Sequence, residues 1–208
     1  MTAQFQRWVR PFQLLRQRRS ADTLQTVHSA PSSALPEDCT SMTMTPIIFT
    51  PVSPAPSRAK LSLELVPATC WCSNVRDHVS PVQWNRLRRQ TYYAARSHCE
   101  ICNGQGPQWP VECHEVWHYD DATQVQTLVR FIALCPACHL TKHIGLAEIK
   151  GHAAEARAHL ARVNAWSEAE TEAYLRQVWA VWEERSAHDW RLNLLWLEQW
   201  RIFVQPKR

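Results

Sequence analysis

No apolar run in this 208-residue chain approaches the ~20 residues that a membrane-crossing helix needs. The Arg-rich opening, MTAQFQRWVRPFQLLRQRRS, has no long apolar core and no small-residue cleavage site after it. It therefore reads as neither a secretory signal nor a membrane anchor. A large charge excess is lacking too. The formal charge of +4 permits a nucleic-acid partner without requiring one, because a phosphate backbone needs local Lys and Arg rather than a large total. No internal repeat is present. The eight cysteines lack the pattern of a disulfide framework, since four of them fall into two C-x-x-C pairs. The expected setting is reducing and cytoplasmic, with no membrane partner.

What is present divides the chain into four stretches. Residues 1–60 are rich in Ser, Thr and Pro without sustained periodicity, and are expected to be a disordered extension that cannot offset its ordering entropy. One short helix near Arg7 to Arg18 is the exception considered there. Residues 61–98 should hold a strand and a lead-in helix. Leu61, Leu63 and Leu65 alternate with polar residues up to Pro67. Ser80 followed by Pro81 starts a helix running to about Arg96, with Trp84 and Leu87 on its apolar side. That helix also carries Arg86, Arg88 and Arg89. Residues 99–145 hold the candidate chemistry. Residues 146–208 are Trp-rich and mainly helical, with a capping box at Ser167-x-x-Glu170. The segment from Trp190 to Trp196 fits a strand or a helix. Most of the eleven Trp are expected in the core.

Cys99-x-x-Cys102 and Cys135-x-x-Cys138 match a tetrahedral zinc site, in which each tight turn supplies two thiolates. Such a closed site staples a small domain and leaves no position for water. Cys70-x-Cys72 is too tight for that pattern and reads as free thiols, and Cys39 reads as incidental. Between the pairs, Val111 to Trp117 and Arg130 to Leu134 suit two strands. The second pair runs into His139-x-x-x-His143, a spacing that puts both imidazoles on one helix face. Strand alternation places His114, Val116 and His118 on one side and Glu115 on the other.

The run CEIC…VECHEVW…LVRFIALCPACHLTKH resembles the HNH endonuclease family over about a fifth of the chain. The resemblance implies an α+β fold, with a small ββα-metal core stapled by the four-cysteine zinc site and flanked by helices. It also implies a metal-dependent phosphodiesterase acting on nucleic acid, DNA ahead of RNA. His139 and His143 would then ligate a catalytic ion such as Mg²⁺, Mn²⁺, Ni²⁺ or Zn²⁺, besides the structural Zn²⁺. Two registers stay open on the first strand. In one, Cys113 is the third ligand and His114 the general base; in the other, His114 is the ligand and Glu115 the base. The family's Asn would fall near Arg130, where none stands; Asp121, Gln124 and Gln126 are the nearby polar candidates. Arg130 and Lys142 would hold backbone phosphates without reading sequence. The competing reading is a zinc-dependent nucleic-acid-binding module that has lost cleavage; a third is a protein-interaction adaptor built on the Trp-rich helices.

Overall fold

Ser80 does what its neighbours predict. Its hydroxyl accepts the Gln83 N–H, the Gln83 side chain accepts the Ser80 N–H, and Pro81 fills the first helical position. The helix so started, α1 (Pro81–Ala94), buries Leu87 and ends where Arg96 and Ser97 turn left-handed. The computed structural model describes residues 59–71 and 74–204, and all of them fall within one unit, 53–208. The Arg7-to-Arg18 helix, Cys39, Cys72 and the extension up to residue 58 lie outside the described residues.

Strands β1 (Glu112–Asp120) and β2 (Val125–Leu134) form an antiparallel hairpin. Asp120 closes its turn by accepting from the Ala122 and Thr123 N–H groups and from the Thr123 hydroxyl. Val116 pairs with Arg130 but Trp117 pairs with Leu128, so Val129 is an extra, bulged residue on β2. A third short strand, β3 (Arg191–Asn193), runs parallel to the start of β2, so the open segment from Trp190 to Trp196 divides into this strand and the start of a 3₁₀ turn (Leu195–Trp200). Helices α2 (Pro136–Lys142), α3 (Ile144–Lys150), α4 (Ala153–Asn164) and α5 (Glu168–Ser186), with two 3₁₀ turns before α1 (Ala68–Cys70 and Val75–Asp77), complete the described chain. The architecture is α+β, helices around a small three-stranded sheet. No helix among the described residues is long and apolar enough to cross a membrane.

One face of the hairpin carries Trp117, Tyr119, Leu128 and Phe131, packed with Val75, Leu87, Leu197 and Ile202 into an apolar core. Trp84, Trp190, Trp196 and Trp200 close over it, as expected of a Trp-rich core. Among the described residues Trp109 is the exception, 64% exposed.

Residues 61–66 depart from expectation. Leu61 and Leu63 are buried, as the alternation predicts, but the segment joins no sheet. Side chains of α4 and α5 satisfy its backbone instead. Asn164 brackets Leu61, the Tyr174 hydroxyl accepts from Leu63 N–H, and Trp182 donates to Val66 O. It is an extended strap rather than a strand.

Candidate metal centres

The first centre begins with two turns. Cys99 to Gly104 close a knuckle in which Asn103 N–H donates to Cys99 O and Cys99 N–H to Gly104 O, with Asn103 left-handed. Gly106 follows, and an added Cβ would meet the backbone oxygen of Trp109 and lie 2.6 Å from the Pro136 ring. Only glycine lets the knuckle approach α2 this closely. Glu100 fastens the knuckle to β2: its N–H donates to Ala133 O and its carboxylate accepts the Ala133 N–H at 2.8 Å. The other turn is the start of α2, where Cys135 is the N-cap and its sulfur accepts from Cys138 N–H. The four Sγ atoms of Cys99, Cys102, Cys135 and Cys138 lie within 4.8 Å of one another, close enough to hold a metal such as zinc. The bond from Cys138 holds the Cys99 thiol well below its ordinary value, while burial pushes Cys135 up. Neighbouring buried thiols resist ionising together, and a divalent cation removes that resistance. The donor set is that of a closed structural zinc site.

The second centre sits one residue further along α2. His114 of β1, His139 of α2 and His143, which caps α2, place one ring nitrogen each within 4.8 Å of the other two. Ring centroids are 4.9 Å apart for His114 and His143, and 4.7 Å for His139 and His143. Burial and the facing imidazoles hold His114 far below its ordinary value, and burial brings His143 down to about 4. Burial lowers His139 too, against the raising effect of Glu112. All three are therefore neutral near pH 7, the form that binds a metal. His114 Nε2 is buried without a hydrogen-bond partner. A buried nitrogen without a partner, on a ring beside two other imidazoles, fits a divalent ion, so the residues present suit it.

Sequence reasoning overlooked Glu112. Its carboxylate bonds His139 Nδ1, which leaves Nε2 free to ligate and fixes the ring. The signal was available, because Glu112 stands two residues before His114 and so shares its strand face.

Both proposed partners of His114 lie elsewhere. Alternation puts Cys113 and Glu115 on the opposite face of the hairpin, so neither joins the histidines. The Cys113 thiol donates to the Thr91 hydroxyl of α1, and burial pushes it up to about 12. Glu115 accepts the Val75 N–H at 2.9 Å, and burial raises it to about 7. His118 shares His114's face but is exposed and outside the cluster.

The basic residues divide. Lys142 is 3% exposed and donates to Glu64 at 2.6 Å, so it is a buried ion pair rather than a phosphate contact. The side chain of Arg130 is half exposed on the histidine face of the hairpin and pairs with Glu100. Helix α1 packs on the other face through Trp84 and Thr91, which puts its arginines on the far side of the hairpin from the histidines. None of the Asn substitutes reaches the cluster. Gln126 bonds the Tyr119 hydroxyl, Gln124 the Asp121 carbonyl, and Asp121 a bidentate pair with Arg185.

Compared with known proteins, the chain matches no family model, no curated protein and no solved structure.

Proposed function

We propose that the chain is a divalent-metal-dependent endonuclease of the HNH type, hydrolysing phosphodiester bonds in nucleic acid, DNA ahead of RNA. The observation that carries this reading is the neutral three-imidazole cluster, with the orphaned His114 Nε2, beside a four-cysteine site that shares helix α2 with it. The succession β1, β2, α2 would then be the ββα-metal core, with the cysteines as its staple. A bound divalent ion would stabilise charge developing on the phosphate and lower the pKa of water toward neutrality.

The chain's own residues divide the rest of the work. His139, oriented by Glu112, would hold the ion from α2, and His143 from the cap of that helix. His114 meets them from β1 and serves either as third ligand or as acceptor of the attacking water's proton. The two roles separate on removal of its ring. Loss of a ligand weakens metal binding; loss of a base spares it and stops cleavage. Arg130 remains the candidate for holding a neighbouring phosphate.

The test is cleavage of supercoiled plasmid across Mg²⁺, Mn²⁺, Ni²⁺ and Zn²⁺. Metal-dependent cutting should fall by about 10³-fold or more in His114→Ala and His143→Ala, and stay within about threefold in Glu115→Gln. Loss in Glu115→Gln with its fold intact would return Glu115 to the site. A second reading, a zinc-dependent binding module without cleavage, draws on one observation: Lys142 is buried and the α1 arginines lie on the other face, leaving the histidines with little cationic surround. It takes over if the plasmid stays intact under every ion while the protein holds zinc and shifts DNA.

A further inference from the structure

The C-terminal helices reach into the cysteine site. His159 of α4 is buried, and its Nε2 lies 3.1 Å from Cys138 Sγ, while its Nδ1 lies 2.6 Å from an Arg162 guanidinium nitrogen. The two contacts fix the proton. A guanidinium can only donate, so Nδ1 accepts and carries no hydrogen. The ring proton is therefore on Nε2, and it points at the sulfur. Arg162 and His159 are three residues apart on one helix, and neighbours at that spacing reach each other without strain.

From this geometry we propose that His159 is a positioning residue of the zinc site, donating a hydrogen bond to the Cys138 thiolate, with Arg162 locking its tautomer. The proposal rests on the metal capacity of the four cysteines and not on the nuclease reading. Four thiolates around one zinc carry two negative charges in excess. In a buried site that excess is costly unless donors meet the sulfurs. Backbone donors reach Cys99, Cys102 and Cys135, among them Gly104 N–H to Cys102 at 3.4 Å and Cys138 N–H to Cys135 at 3.5 Å. His159 lies closer than either, at 3.1 Å, and is backed by a full positive charge through its far nitrogen. It spreads the negative charge of Cys138, makes that sulfur a poorer target for protons and oxidants, and ties α4 to the zinc. The residues after 145 then complete the metal site rather than only flank it.

The test uses the full zinc-loaded chain and compares His159→Leu, His159→Gln and Arg162→Ala. Zinc release to a chromogenic chelator at neutral pH is the first readout. The second is the thiolate-to-metal charge-transfer band of the cobalt-substituted protein. His159→Leu should release zinc about 10- to 100-fold faster, the range seen when such outer partners are removed. Its cobalt band should shift, because Cys138 becomes the more electron-rich donor. His159→Gln keeps an N–H donor and should restore both readouts to within about threefold. Arg162→Ala changes an exposed side chain and leaves the core intact, so it reports even if His159→Leu fails to fold. It should fall between the two, and a long-range nitrogen–proton spectrum should show the His159 proton no longer confined to Nε2. Wild-type release and an unmoved band in His159→Leu would overturn the proposal. So would a His159→Gln protein as labile as His159→Leu, which would mark the ring as packing alone.

Discussion

Lys142 and His143 are adjacent in sequence, end the same short helix, and have opposite fates. The ammonium of Lys142 turns inward to Glu64, whose other carboxylate oxygen takes the Trp117 N–H at 3.4 Å next to the β2 bulge. The pair thus joins the strap at 61–66, the hairpin and α2 at one point. Breaking a buried pair by deleting one partner leaves the other charge without compensation, at a cost of about 3–5 kcal/mol. Glu64 keeps some access to water, so Lys142→Met should fall near the lower end, about 3 kcal/mol, read from the urea midpoint. Its effect on nucleic-acid affinity should vanish once folded protein is compared. A phosphate-contacting lysine would behave in the opposite way, with little change in stability and a shallower dependence of binding on salt.

At the scale of elements, the parts legible in the sequence were those whose signals are local. The capping boxes at Ser80 and Ser167 are satisfied by residues three positions on, and both helices start there. The paired cysteines and the His139–His143 spacing are equally local, and the structure brings each set together. Alternation also put Glu115 across the strand from His114. What it withheld was the consequence that adjacent strand residues cannot both face one ion, so His114 stands without Cys113 or Glu115. The strap was misread because its alternation is real but its partners are side chains of Asn164, Tyr174 and Trp182, about a hundred residues away. No local pattern encodes them. Gly106 lies between these cases, since its place after the first cysteine pair is plain in the sequence but its contact with Pro136 is not. Gly106→Ala should push the knuckle off α2 at a cost of about 1–3 kcal/mol, the usual penalty for overpacking. Lower zinc occupancy and a lower melting temperature together would report it; a melting change with full occupancy would place the strain elsewhere.

Across the whole molecule, the two centres share α2 yet should respond differently to metal removal. The cysteine site joins the knuckle, the end of β2, α2 and, through His159, α4. The histidine site joins only β1 and α2, which the hairpin and the Glu112–His139 bond already hold near each other. Three neutral nitrogens also grip a cation less tightly than four thiolates. A mild chelator should therefore empty the histidines and leave the fold standing, whereas one strong enough to take zinc from the cysteines should unfold the domain. The protein keeping zinc only at the cysteines then allows a pH experiment. Unfolded, each of the three imidazoles binds a proton below about pH 6.5; folded, burial holds His143 off until about 4, and His114 further still. Between those values the unfolded chain holds more protons on these rings, so their contribution falls as pH falls, by up to about 1.4 kcal/mol per pH unit for each, against the single opposing proton of Glu115, which burial raises to about 7. Denaturant melts from pH 7.5 down to 5 should show that decline, and it should be shallower in His114→Phe, which removes one of the protons being counted. Equal slopes in the two proteins would mean that His114 is not held neutral in the fold. The ligand set behind the nuclease reading would then lose its central member.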